Sequence, residues 1–315
     1  MKKLTLDKTI ILSSHPISKD FKEKLEIFFN DITDYIVLNN LKAQGSKFAI
    51  KKLLEKRASK VVIIFETDGD TVFKNILCIC SFLISSDTRY FYFPDCTIKS
   101  VTVLSFFWSF IQTFFASVLS IRNGLVAKWE IDRLSKIEQT KRKIKINSEI
   151  IYLNTNLMHG VKAGGSLGHI TGVINSFFSQ NFKVTYVSSK NISLINKSIP
   201  YLNLYLPNTI TFPNEFFLFG FGQLVVKQLS AYLGKGKSKI IYQRMSRCNY
   251  SGASLKNKLK IPLILEYNGS EVWGARNWGH PLIFEKLAEK SETLSLKSAD
   301  FVVTVSEVLA KELEN

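Results

Sequence analysis

Three strand-end stretches and one loop carry residue types that could do chemistry. The first reads Ala163-Gly164-Gly165-Ser166-Leu167-Gly168-His169. Glycines there let backbone N–H groups come close to an anion, and a helix starting at that point adds partial positive charge. Gly164, Gly165, Gly168 and His169 are therefore candidate substrate-binding residues, beside the plainer reading of a glycine turn needed only for packing. The second stretch, Glu266-Tyr267-Asn268-Gly269-Ser270-Glu271, follows the apolar run Ile261–Leu265. Glu266 and Glu271 could hold sugar hydroxyls or accept a proton. The same residues also read as an Asn-Gly turn with Glu271 in the first turn of a helix. Third, Arg244 closes Tyr242-Gln243-Arg244, where its planar fork could clamp a phosphate or form a surface ion pair. Last, Trp273, Arg276 and Trp278 approach Gly279 and His280 in one loop, which suits sugar stacking, a membrane-interface rim, or partial burial in the core.

The first stretch nearly fits the dinucleotide fingerprint, with Ala163 in the first glycine position. It departs elsewhere. The next strand ends Val187-Ser188-Ser189-Lys190, with no carboxylate for a ribose hydroxyl pair, and the loop 154–162 is long for that motif. Those departures weigh against a nicotinamide dehydrogenase. Cys78, Cys80, Cys96 and Cys248 have no framework spacing, and His15, His159, His169 and His280 are scattered. No metal site is expected, and the thiols read as reduced groups of a cytoplasmic protein. No cofactor is expected either.

Positioning these residues requires parallel strands alternating with helices. The 315-residue chain is 46% apolar, which excludes a mostly disordered polypeptide and allows one large or two medium domains. In 1–98, strands are predicted at Thr9–Leu12, Tyr35–Leu38, Lys60–Phe65 and Tyr90–Phe93. Helices are predicted at Lys19–Asn30, Ser46–Ala58 and Lys74–Ser85. Asp68-Gly69-Asp70 reads as a turn rather than a site. In 147–315 the strands are Glu149–Leu153, Lys183–Val187, Tyr201–Tyr205, Lys239–Gln243, Pro262–Glu266 and Phe301–Val305. Helical patterns fall at Ser166–Gln180, Asn214–Tyr232, Ser254–Lys260, Leu282–Leu296 and from Glu307 onward. Both stretches predict α/β units, and the second a Rossmann-like doubly wound parallel sheet.

Between them, 99–146 reads as a hydrophobic, membrane-contacting helix followed by a basic linker helix. Ser100 to Ile121 contains no charge, Pro or Gly, and at about 1.5 Å per residue it could cross a bilayer core. A buried core helix, a spanning helix and a helix lying in one leaflet are the three readings. Both flanks are basic, through Lys99 on one side and Arg122 to Lys145 on the other, so loop charge gives no crossing direction and the one-leaflet reading is preferred. That places the protein on the cytoplasmic face of the membrane, with the membrane surface as a partner. The net charge of +16 favours anionic partners. The basic residues are spread along the chain without a recognisable nucleic-acid module, so nucleic acid is not an expected partner.

The order of motifs in 147–315 resembles the N-terminal, acceptor-side domain of GT-B-fold, family 4 ("group 1") glycosyltransferases. The residues that carry it are GGSLGH, FKVTYVSS, IIYQR, IPLILEYNGSEVW and ADFVVTVSE, in that order. The resemblance implies a hexosyltransferase of cell-envelope or exopolysaccharide assembly, with a nucleotide sugar as donor and a lipid-linked or glycan acceptor. It implies that Gly164, Gly165 and Gly168 line the cleft. Asn268 stands where many relatives carry a His facing the transferred sugar, which makes Asn268 and Glu271 the candidate catalytic positions. The donor-binding C-terminal domain is read as absent, so a separate donor-domain polypeptide is a possible partner. The alternative is a non-catalytic membrane-recruiting subunit or truncated pseudo-enzyme.

Overall fold

A computed structural model describes residues 8–29, 31–138, 140–144, 148–157, 164–234, 239–278 and 281–314. Of the residues singled out above, Lys145, His159, Ala163, Gly279 and His280 lie outside these, as does most of the loop 154–162. The chain forms two compact units.

The first unit contains residues 8–118 and Asn208–Thr211. Its elements are β1 (Thr9–Ser13), α1 (Lys19–Phe28), β2 (Ile32–Val37), α2 (Leu38–Lys42), α3 (Ser46–Leu54), β3 (Arg57–Ile64), a 3-10 turn (Asp68–Phe73), α4 (Lys74–Ser81), β4 (Ser85–Tyr92), β5 (Ile98–Ser100) and the first half of α5 (Val103–Leu134). The sheet order is β2-β1-β3-β4-β5; β5 runs antiparallel to β4 and the other pairings are parallel. This is the flavodoxin-type winding with an added edge strand. Val61, Val62, Ile63 and Ile64 are all buried because β3 is covered on both faces. Alternate residues serve the two faces. Ile63 and Phe65 join Leu77 on one side, and Val62 and Ile64 join Leu25 and Tyr92 on the other. α1 starts at Ser18, whose hydroxyl accepts from Phe21 N at 3.2 Å. The chain returns to this unit late. Asn75 Nδ2 donates to Thr209 Oγ1 at 2.7 Å, and Ile210 N to the Val72 carbonyl at 3.1 Å.

The second unit takes the rest of α5 and then β6 (Glu149–Asn154), α6 (Gly165–Ser179), β7 (Val184–Ser188), β8 (Tyr201–Asn203), α7 (Asn214–Leu233), β9 (Lys239–Arg244), α8 (Ser251–Leu259), β10 (Leu263–Tyr267), α9 (Glu271–Trp278), α10 (Glu285–Ser298), β11 (Phe301–Thr304) and α11 (Glu307–Glu314). Its six strands are ordered β11-β10-β9-β6-β7-β8 and all pair in parallel. Counted from β6 this is the doubly wound 3-2-1-4-5-6 order, so the winding reverses between β6 and β9, where α/β sheets of this kind bind ligands. Asn154 and Arg244, the last residues of those two strands, are register partners. The two faces are filled by Leu153, Val225, Ile241 and Leu265 on one side and by Tyr152, Ile170, Tyr186 and Tyr242 on the other.

At the opposite end of this sheet a buried ion pair ties four segments together. Lys256 Nζ lies 2.7 Å from Asp300 Oδ1 and donates to the Ser298 carbonyl at 2.8 Å. Asp300 also accepts from Leu263 N at 2.8 Å and from Arg142 N at 2.6 Å. α8 approaches β9 closely at Gly252, where a Cβ would meet Gln243 Oε1 at 2.0 Å.

The structure differs from the sequence reading in a few elements. The hydrophobic helix and the basic helix behind it are one continuous helix, α5, which ends at Leu134. α8 begins at Ser251 rather than Ser254, because Asn249 Oδ1 accepts from Ser251 N at 2.9 Å in an Asx turn that leads into the helix earlier than its pattern suggests. Asp68-Gly69-Asp70 is indeed a turn, closed by Thr67 and Asp70, which exchange capping hydrogen bonds.

Candidate functional site

The residues singled out at three strand ends converge on one carboxylate. Glu266, near the carboxyl end of β10, is almost fully buried, its side chain 1% exposed. Arg244, at the end of β9, donates from Nη1 to Glu266 Oε1. The same oxygen accepts from Asn268 Nδ2 at 2.9 Å and lies 3.1 Å from His169 Nε2. Tyr152 on β6 donates its hydroxyl to Glu266 Oε2 at 3.2 Å. Tyr242 also hydrogen-bonds Glu266, and its ring stacks on Tyr152 with centroids 5.2 Å apart. Arg244 Nη2 reaches Ser166 Oγ at 3.3 Å, so β9 is fastened to the first turn of α6.

Burial first, and the Glu266 charge second, push both the Tyr152 and Tyr242 hydroxyls far above the ordinary tyrosine value. They stay protonated and act as fixed donors. Glu266 therefore works as an organiser: it orients Arg244, His169 and Asn268 rather than offering its own oxygens to a ligand. The open member is His169, with a side chain 39% exposed, while Asn268 is half-buried. Asn268 Oδ1 is a buried acceptor with no hydrogen-bond partner among the described residues.

The glycines stand beside this cluster. Gly164, at φ 132°, precedes the first turn of α6 in a conformation that favours glycine. A Cβ at Gly165 or Gly168 would meet no described atom within 4 Å. Packing among the described residues therefore does not require glycine at either position, and the backbone there is open to approach.

Glu271 belongs to a different set. Burial raises its carboxyl above the usual value, partly offset by Arg247, whose Nη2 is 3.9 Å away. The start of α9 is already neutralised internally: Glu292 Oε2 accepts from Glu271 N at 3.1 Å and Val272 N at 3.4 Å. Trp273 and Trp278 pack edge to face at 4.8 Å, while Arg276 is held by Glu285 and Glu289 at 2.6 and 3.0 Å.

Tyr152 and Glu292 escaped the sequence reading, as did the joining role of Ser166. The available signal for Tyr152 was a hydroxyl inside an apolar strand, which must find a partner once buried. In the first unit Ser18 Oγ donates to Glu66 Oε1 at 2.5 Å, fixing the carboxyl end of β3 to the start of α1. Among the described residues no group of three or more His, Cys, Asp or Glu side chains is placed to hold a metal ion.

The second unit is thus a Rossmann-like α/β domain with a polar cluster at its switch point. No family model matches the chain, and no curated protein matches it. Among solved structures, a crystal structure of a GsuK mutant aligns over 100% of this chain and 70% of its own, with 12% identity and a TM-score of 0.26. A likeness that slight carries no argument.

Proposed function

We propose that the second unit is the acceptor-side half of a GT-B glycosyltransferase, one that moves a hexose from a nucleotide sugar to a lipid-linked or glycan acceptor. The observation that carries this reading is the convergence of Arg244, His169 and Asn268 on buried Glu266, beside the open glycine turn of α6, at the switch point of a 3-2-1-4-5-6 sheet. In this reading His169, backed by a carboxylate, meets the acceptor hydroxyl or its phosphate. Asn268 braces the same carboxylate from the β10 side, and the α6 N–H groups face an anionic group. Arg244 is a positioning residue, because its fork is engaged by Glu266 and Ser166. A donor-binding domain would supply the nucleotide sugar.

The test is direct binding by the full chain. The probes are a short-chain polyprenyl diphosphate carrying one hexose, a neutral oligosaccharide, and UDP-glucose. The expected result is saturable binding of one of the first two, with UDP-glucose at least about tenfold weaker. His169→Ala should weaken acceptor binding by about tenfold, the size of one lost hydrogen bond. A folded wild-type chain that binds neither acceptor probe, or binds equally well without His169, overturns the proposal.

A further inference from the structure

A surface helix of a water-soluble domain turns its large apolar residues inward and its small polar ones out. Over its apolar stretch α5 does the reverse, although its last turns bury Ala127, Ile131 and Leu134. Its buried stripe over the apolar stretch is Ser109, Thr113 and Ser120, with Thr113 donating its hydroxyl to the Ser109 carbonyl at 2.8 Å. Leu104, Phe107, Trp108, Phe114, Phe115 and Leu119 point away from the protein, each more than half exposed. Small residues toward protein and large ones toward the surroundings is the arrangement of helices in lipid. An exposed apolar surface of this extent marks an interaction face.

The charges name the partner. Just past the apolar stretch, Arg122, Lys128 and Arg133 are exposed, and the Arg133 guanidinium lies over Trp129 at 5.3 Å. The acidic residues of the same stretch are engaged by the protein. Glu130 accepts from the Tyr250 hydroxyl at 2.6 Å, and Asp132 pairs with Lys290 at 2.9 Å. An apolar face continued by outward cations complements an anionic phospholipid surface. The protein also holds one flank of the helix: Phe106 packs on Phe82 at 5.0 Å, and Ser109 hydrogen-bonds Cys78. Lipid can reach only the opposite flank.

We infer that α5 seats sidelong in one leaflet of an anionic bilayer. Leu104 to Leu119 enter the acyl region, and Arg122, Lys128 and Arg133 stand at headgroup level. The inference rests on α5 alone and is independent of the sugar chemistry proposed for the second unit.

The experiment is flotation of the full chain with vesicles of phosphatidylcholine alone or mixed equally with phosphatidylglycerol. The wild type should float with the mixed vesicles, and brominated acyl chains should quench its fluorescence less after Trp108→Phe. Leu104→Glu combined with Phe115→Glu alters only exposed side chains, so the fold, checked by circular dichroism, should persist while vesicle binding falls at least about tenfold. Arg122→Glu with Lys128→Glu should remove the preference for phosphatidylglycerol. Three results overturn the docking of α5 on lipid: a folded wild type that floats with neither vesicle, a glutamate variant that binds as the wild type does, or a stable dimer that covers this face and is abolished by Leu104→Glu. Protease protection of either flanking region in sealed vesicles would show a crossing helix and overturn the one-leaflet seating.

Discussion

His169 Nε2 lies 3.1 Å from Glu266 Oε1, setting a half-open imidazole against a carboxylate removed from water. Everything else in the cluster depends on that carboxylate. Glu266→Gln keeps the shape but leaves the Arg244 charge without its counter-ion. We expect a loss of roughly 2–3 kcal/mol in urea unfolding, the cost of breaking a buried pair from one side. A midpoint within error of wild type would show that Arg244 finds another partner.

Gly168 and Gly252 should respond oppositely to alanine. At Gly168 a Cβ meets no described atom, and α6 gains helix propensity, so stability should rise by about 0.5–1 kcal/mol. Acceptor binding should nevertheless fall if the open backbone serves a ligand. At Gly252 the Cβ would meet Gln243 Oε1 at 2.0 Å and Leu263 Cδ1 at 2.9 Å, and Gly252→Ala should cost about 1–3 kcal/mol. Thermal melts of both variants, with the acceptor probe titrated into Gly168→Ala, decide it.

Asp300→Ala strands the Lys256 charge and leaves the Leu263 and Arg142 N–H groups without their acceptor. We expect about 3–5 kcal/mol of destabilisation. Lys256→Met alone should cost less, because Asp300 keeps its two backbone donors. Chemical denaturation of the two variants side by side gives the ranking, and the reverse order would contradict it.

Burial raises the Glu271 carboxyl above its unfolded value, so the folded state holds this proton more tightly than the unfolded state does. Its contribution is therefore full below the unfolded value and is lost as pH rises through the folded one. Glu271→Gln should raise the melting temperature at pH 7, and the gain should vanish by about pH 4, where the wild-type carboxyl is protonated. A gain of equal size at both pH values would point to a cause other than ionisation.

The thiols should separate by reactivity. Burial pushes the Cys80 thiol up to about 11 and raises Cys78 and Cys248 as well, while Cys96 is exposed. Under native conditions at pH 8, a thiol reagent should label Cys96 first. Mass spectrometry of the labelled peptides identifies the fast site.

Much of the scaffold was legible because buried parallel strands are written as apolar runs. Ile150-Ile151-Tyr152-Leu153 and Leu263-Ile264-Leu265 could be read almost to the residue. The ends were harder, since they are set by local turns such as the Asn249 Asx turn before α8. The stretch after Asn268-Gly269 reads as a turn, the start of a helix at Glu271 and then a loop holding Trp273, Arg276 and Trp278, whereas the structure makes all of Glu271–Trp278 one helix, α9, too short to show a clear apolar period. The sequence placed Arg244, His169, Glu266 and Asn268 at strand or helix ends but could not say that they meet. That meeting depends on sheet order, which brings β9 between β6 and β10. Tyr152 and Glu266 are far apart in the chain, and no local pattern announces their hydrogen bond. For α5 the composition was plain, while the inverted placement of its small and large residues required the neighbours to be in place.

The return of Asn208–Thr211 to the first unit has a consequence for anyone who cuts this gene. Thr209 and Ile210 bond to Asn75 and Val72, and Phe106 and Ser109 cover Phe82 and Cys78. An amino-terminal fragment ending before α5 lacks both covers, and one ending after α5 still lacks the first. The unit is discontinuous in sequence, so fragment libraries, split reporters and recombination breakpoints placed in the basic stretch after α5 should yield products prone to aggregation. A permuted chain that carries 208–211 along is the smaller piece to try.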